Sequence, residues 1–362
     1  MKHTFESPNN TLEENHNKSG SVAWQSPSNI ALIKYWGKKP IQTPQNASIS
    51  FTLSDARSET KVVYRSRKDQ SNWIQFKFEG FSEDSFAKRI AAYFESLIPY
   101  FPFIKQLSFT IESRNTFPHS SGIASSASAM SALAMCLCDI EHQFWPNEKE
   151  SIDLQKASFI ARLGSGSASR SIYPIMAAWG HSEYINGSDN LYAIPYSELH
   201  EVYYSFHDDV LIVSAEKKSV SSSAGHQLMD GNPFAASRYK QAEENMRRLV
   251  ELMKTDKLME WGSIVESEAM TLHALMMCSD PSYILMKPET LTVIDAIRQF
   301  RKDSGLPIFF TLDAGPNIHI LYPHYISSLV QDWIEGLIKN LPENSYLIKD
   351  QVGNGPSPIV CE

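Results

Sequence analysis

The chain has 362 residues, 42% of them hydrophobic and 20% charged, with a formal net charge of −8 at pH 7. That length exceeds one ordinary core and implies two domains, and the composition is that of a globular protein. The acidic balance argues against a dedicated binder of nucleic acid or of an anionic membrane, and no apolar run approaches the roughly 20 residues of a membrane helix.

Residues 1–21 are polar, lack the apolar centre of a secretion signal, and read as a flexible tail. Val22–Ser26 predicts a short strand that turns at Pro27. Asn29–Trp36 follows and ends in the basic run Gly37-Lys38-Lys39. Ala47–Leu53, Glu59–Tyr64 and Trp73–Phe78 read as strands, the last two joined by a polar turn. Ser85–Leu97 reads as a helix and Ser108–Ser113 as a strand. A further helix carries Met130, Leu133, Ala134 and Leu137 on one apolar face. Ser151–Leu163 is helical up to Gly164. Asp209–Ala215 is a strongly apolar strand, and helices follow over Arg238–Met253, Leu258–Met277 and Glu289–Lys302. Ile308–Leu312 and His319–Tyr322 read as strands flanking a turn. Helix Ile326–Lys339 and strand Tyr346–Lys349 close the chain. The order predicts an α+β protein in two halves that meet near residues 200–210.

The four cysteines give no disulfide framework, and no Cys/His spacing resembles a zinc site. Reduced thiols in a cytoplasmic protein are the default.

Three Ser/Gly-rich clusters carry the chemistry. NTFPHSSGIASSASAM, residues 115–130, feeds a small-residue loop into a helix start. Unpaired N–H groups and the helix dipole make such a start an anion site. The alternative is a capped helix with small packing residues. No Walker lysine is present. GSGSASRSIYP, residues 164–174, passes directly into apolar sequence, which suits close backbone approach to a ligand better than a linker. EKKSVSSSAGH spans residues 216–226. Asp313, after the apolar strand FFTL, is either a turn residue capping its own backbone or a functional carboxylate. Arg170 could grip a carboxylate or phosphate, or form a surface ion pair. Lys34 and Lys38 are either solvated or site cations, and Trp36 reads as a core aromatic. Together these pieces are what phosphoryl transfer needs: a phosphate cradle, positive charge and a carboxylate near the attacking hydroxyl.

SPSNIALIKYWGKK, NTFPHSSGIASSASA, RLGSGSASRSIY, VSAEKKSVSSSAGH and TLDAGPN occur in this order. Together they closely resemble the diphosphomevalonate decarboxylases of the superfamily of galactokinase, homoserine, mevalonate and phosphomevalonate kinases (GHMP kinases). The resemblance spans about residues 22–355. It implies a two-domain GHMP-kinase-like α+β fold. The N-terminal half, 22–205, would be ribosomal protein S5 domain 2-like and the C-terminal half, 206–362, ferredoxin-like, with the active site in the cleft between them.

The resemblance also assigns roles. ATP phosphates would lie over Pro118, Ser121, Gly122, Ser125, Ser126 and Ser128. Ser126 would contact the transferred phosphoryl group and, through ATP, Mg2+. Asp313 would be the catalytic carboxylate at the substrate's 3-hydroxyl, with Lys34 beside it. Arg170 would hold the substrate carboxylate with Asn29 near it. Ser165, Ser167 and Ser222 would contact substrate, and Tyr35 and Lys38 its diphosphate. The implied reaction is ATP-dependent decarboxylation of mevalonate 5-diphosphate to isopentenyl diphosphate in isoprenoid biosynthesis, by a cytoplasmic homodimer.

Two departures stand out. His119 occupies a place where threonine is common. Ser223 stands where some bacterial relatives carry an arginine on the terminal phosphate, which related eukaryotic enzymes also lack. Rival readings are a phosphomevalonate decarboxylase, a mevalonate 3-kinase and a non-catalytic small-molecule sensor. Retained Asp313 speaks against the second. Retained Asp313, Arg170 and the phosphate loop speak against the third.

Overall fold

The computed structural model describes residues 5–7, 9–14, 16, 18–68, 73–118, 124–146, 151–214 and 220–360, and for Ser222 and Ser223 the backbone alone. The N-terminal half opens with β1 (Gly20–Ile33), the small hairpin β2 (Lys38–Lys39) and β3 (Thr43–Pro44), and the long β4 (Ser48–Ser66). Then come β5 (Ile74–Phe78), β6 (Phe81–Ser82), α1 (Asp84–Ser96), β7 (Leu107–Asn115), α2 (Ser125–Phe144) and α3 (Leu154–Gly164). A short 3-10 helix, Gly166–Ile172, leads to β8 (Met176–Trp179) and β9 (Ala193–Pro195).

The C-terminal half runs β10 (His207–Ile212), α4 (Ser222–Gln227), α5 (Ala235–Leu252), α6 (Leu258–Met277), α7 (Pro288–Ser304), β11 (Phe309–Leu312) and β12 (Ile318–Tyr322). It ends in α8 (Ser327–Ile338), β13 (Tyr346–Ile348) and β14 (Ser357–Pro358). The first sheet has the order β14-β1-β4-β7-β5-β6, with β8 on the front half of β4 and β9 beyond it. The second is an antiparallel sheet β11-β12-β10-β13.

The expected helices form, within a few residues of their predicted ends, because their apolar faces find a sheet. Leu133, Ala134 and Leu137 of α2 are buried with α1 and α3 against the first sheet. Small residues let α2 sit close to the strands. Ser131 Oγ lies 2.6 Å from Ser26 Oγ and Ser128 Oγ 2.7 Å from Ser58 Oγ.

The strands depart from expectation in three ways. β1 does not turn at Pro27 but runs through it. Its pairing with β4 shifts register between Pro27 and Asn29, and at such a bulge a missing N–H costs no ladder bond. The segments expected as separate strands near 47–53 and 59–64 are one strand, β4, which serves β8 with one end and β7 with the other. Third, β5 does not pair with β4; β7 lies between them, and β5 joins it in parallel.

The N-terminal segment is also not a free tail where it is described. Gln106 holds Leu12 by both backbone groups, at 2.7 and 2.8 Å, and the Leu12 side chain is buried. Phe5 packs on Phe159 and Tyr192. Cys278 caps the end of α6 and is exposed.

The two halves share a core. Ile30 and Phe51 of the first sheet cluster with Met246, Trp261 and Val210 of the second half. The chain end crosses back as well, since β14 pairs with β1 and Val352 bridges Leu53. A boundary at 205/206 therefore divides the chain but not the packing.

Candidate active site

A cavity of about 700 Å3 lies where β1, α2, the 166–172 helix, α4 and the end of β11 converge. Asn29, Lys34, Tyr35, Lys38, Ser125, Ser126, Ser165, Ser167, Arg170 and Asp313 all line it. Pro118 and Ser128 do not. Ser128 is fully buried, bonded to Ser58 and to the Ser125 carbonyl, so its hydroxyl serves packing. Ser121, Gly122 and His119 lie outside the described residues, as do the side chains of Ser222 and Ser223.

The start of α2 carries no side-chain cap. Its N-cap is Ala124, in the left-handed conformation at φ 45°. Among the described residues, then, the first-turn N–H groups have no side-chain acceptor, which is what an anion at a helix start requires. Ser126 is exposed there, its Oγ 3.4 Å from Ser165 Oγ, which is 3.5 Å from Ser167 Oγ. Hydroxyls thus run from the helix start toward Arg170. The Gly/Ser run is a buried wall rather than a linker. A Cβ on Gly166 would come within 2.8 Å of Trp179 and 3.0 Å of the Tyr35 hydroxyl, so only glycine fits.

Arg170 is buried, not a surface ion pair. Nη1 donates to Ser48 Oγ at 2.6 Å, and Nε to Ser50 Oγ at 2.9 Å and Asn29 Oδ1 at 3.3 Å. Every one of these acceptors is neutral. Burial lowers its pKa to about 10, opposed by the nearby Tyr35 and Asp313. Asn29 is locked in turn by bonds to the Ser167 carbonyl and Ser171 Oγ.

Lys34 is buried too. Its Nζ donates to the Ala31 carbonyl at 2.6 Å. Desolvation pulls its pKa down to about 8 against the attraction of Asp313, Glu268 and Asp208, with Arg170 adding to the depression. The carboxylate of Asp313 thus sits in the field of both buried cations. Its backbone carbonyl meets His273 Nε2 at 3.1 Å and accepts the Gly315 N–H. Burial raises the Tyr35 hydroxyl well above its ordinary range. Lys38 Nζ donates to Gln42 Oε1 at 3.3 Å. Trp36 is buried as expected, against Leu272 and Leu275.

Sequence reading missed four features. Ser48 and Ser50 hold Arg170, and their alternation on one strand face is the only local signal. The buried pair Arg238–Glu268 clamps the Lys34 backbone. His226 lines the cavity. The far end of the cavity is apolar, with Phe76 stacked on Phe86 and the Arg89 guanidinium 4.1 Å over the Phe86 ring.

No group of three or more described His, Cys, Asp or Glu could hold a metal. Mg2+ often binds through substrate phosphates and waters rather than a protein cage, and the exposed Ser126 hydroxyl suits that arrangement.

Fold and cleft together define a GHMP-kinase-like α+β enzyme. Residues 26–191 match the family model of the diphosphomevalonate decarboxylase-like N-terminal domain, and residues 210–357 that of the mevalonate 5-diphosphate decarboxylase C-terminal domain. The diphosphomevalonate decarboxylase of Debaryomyces hansenii is 30% identical over 82% of this chain and 78% of that protein. That of Ganoderma lucidum is 28% identical over 88% and 81%. The crystal structure of mevalonate diphosphate decarboxylase from Staphylococcus aureus superposes with a TM-score of 0.81 at 29% identity, covering 94% of this chain and 98% of that one. A structure described as MDDEF in complex with MVAPP, AMPPCP and magnesium gives 0.80 at 25% identity, covering 95% and 100%. The chain belongs to the diphosphomevalonate decarboxylase family.

Proposed function

We propose that this chain converts mevalonate 5-diphosphate and ATP to isopentenyl diphosphate, ADP, phosphate and carbon dioxide. The observation that carries the reading is Arg170, a buried guanidinium whose described partners are all neutral, opening on a cavity that also holds Asp313. A buried cation is costly unless its charge is met; Asp313 meets part of it, and a bound carboxylate would add a bidentate partner. The ligands named for the MDDEF complex support the same substrates.

ATP would supply the phosphoryl group, and Mg2+, which the Ser126 hydroxyl would help to hold, would neutralise the phosphate charge. The α2 start holds the phosphates, and the aromatic end of the cavity takes the base. Asp313 orients the 3-hydroxyl and accepts its proton as the hydroxyl oxygen bonds to phosphorus. Arg170, set by Asn29, Ser48 and Ser50, fixes the carboxylate. The C–O bond to the new phosphate then breaks, and positive charge grows at the tertiary carbon. The carboxylate leaves as carbon dioxide, and its bonding pair becomes the double bond. The proton passes from Asp313 to the departing phosphate, and the carboxylate so restored favours that cationic carbon. Tyr35 and Lys38 hold the diphosphate, Lys34 lies beside Asp313, and Ser165 and Ser167 face the substrate. The same reading carries a cytoplasmic homodimer.

Asp313→Asn tests this directly. Nucleotide affinity, read by calorimetry, should stay within about threefold, while turnover falls by 10²-fold or more, on the order expected for loss of a general base. Turnover near the wild-type rate would remove Asp313 from the chemistry.

A further inference from the structure

His226 has no part in the reaction outlined above. Its ring packs 4.3 Å from that of Tyr35 and 4.5 Å from that of Trp36, on the wall of the cavity. Its Nδ1 lies 3.0 Å from the Gly37 nitrogen and accepts that N–H. A ring nitrogen that accepts a backbone N–H carries no proton, so the neutral imidazole keeps its proton on Nε2. Burial and the charge of Lys38 lower its pKa to about 3, so the ring is neutral across the working pH range. No described acceptor meets Nε2. Nor is Nε2 among the sealed, unpartnered polar atoms, such as Tyr203 Oη and Trp261 Nε1. Its N–H therefore keeps access to unfilled space, on a ring that lines the cavity.

This donor sits beside Tyr35 and Lys38, at the end of the cavity that takes the phosphorylated part of the substrate. The ammonium of Lys38 attracts any anion but imposes little direction on it. An imidazole N–H fixed by stacking and by the Gly37 bond adds direction without adding charge. A second phosphate brings further acceptor oxygens, which one ammonium cannot satisfy.

We propose that the Nε2–H of His226 donates a hydrogen bond to the phosphate end of the bound substrate and makes the site prefer a diphosphate over a monophosphate. This rests on the substrate assignment given under Proposed function.

The test is steady-state kinetics of wild type, His226→Phe and His226→Gln with mevalonate 5-diphosphate and, separately, mevalonate 5-phosphate. His226→Phe keeps a stacking ring and loses both nitrogens. It should raise KM for the diphosphate about tenfold, the scale of one hydrogen bond, with kcat within about threefold. The monophosphate KM should move far less. His226→Gln retains a donor and should recover most of the loss. An unchanged diphosphate KM, or an equal rise for both esters, overturns the proposal.

A second readout covers a variant that does not fold. In 15N-histidine spectra of the wild-type protein, the His226 Nε2–H signal should shift on adding mevalonate 5-diphosphate, and no shift overturns the proposal. If the wild type releases carbon dioxide from neither ester, the substrate assignment falls and takes this proposal with it. If the wild type turns over while His226→Phe matches it, the proposal alone falls.

Discussion

Lys34 is a cation held out of water on the wall of the cavity, and the proposed reaction uses its charge. Desolvation lowers its pKa to about 8, with Asp313 the first of the groups that oppose the fall. As pH rises through about 8, Lys34 loses its proton, whereas an ordinary lysine would hold it to about 10.4. The rate constant kcat/KM should therefore show a basic limb near pH 8, and Lys34→Arg should move that limb upward. A profile flat to pH 10 would contradict a catalytic role for the charge. Stability runs the other way. The folded pKa lies below the unfolded one, so between these values the unfolded chain binds more protons. This residue's contribution to stability therefore rises with pH over that window.

Residue by residue, the sequence motifs brought Asn29, Lys34, Arg170 and Asp313 to one place because each sits in a short, distinctive string. The partners that set them were not legible. Ser48 and Ser50 lie some 120 residues from Arg170, and Glu268 lies 234 from Lys34. No local pattern links such pairs. His226 was hidden in a Ser/Gly cluster whose serines drew the reading.

At the scale of elements, α5 and α6 act as a clamp. Glu268 receives both terminal nitrogens of Arg238, at 2.5 and 2.7 Å, and the Asn245 amide at 2.7 Å. The same pair grips β1 where the chain leaves it: Lys34 N–H donates to Glu268 and Lys34 C=O accepts from Arg238. Glu268→Gln leaves a guanidinium buried without its counter-charge, a change that costs roughly 3–5 kcal/mol. Denaturant unfolding should show a loss of that order, accompanied by a lower kcat as Lys34 loses its seat. A loss below about 1 kcal/mol would show that the pair does not hold this junction.

Element types followed from periodicity, because α5, α7 and α8 each bury one stripe. Pairing did not. Nothing local told that β7 would insert between β4 and β5, or that Pro27 would sit in a bulge rather than end a strand. Periodicity reports which face is buried, whereas strand order depends on which neighbour buries it.

For the whole molecule, the shared core around Phe51 and Trp261 ties the two sheets into one body, with the cavity at their junction. Asp313 comes from the second half, and Asn29, Ser126 and Arg170 from the first. The proposed chemistry therefore requires both halves to be held in register, and the return of β14 to β1 reinforces that register. The central claim is that this junction decarboxylates a diphosphate ester at the expense of ATP. Its most direct test follows ADP, carbon dioxide and the isopentenyl product together, with purified protein, ATP and Mg2+, offering mevalonate 5-diphosphate and mevalonate 5-phosphate separately. Stoichiometric ADP, carbon dioxide and isopentenyl diphosphate from the diphosphate alone is the predicted result. Carbon dioxide from the monophosphate instead, or ADP with no carbon dioxide from either, would contradict it.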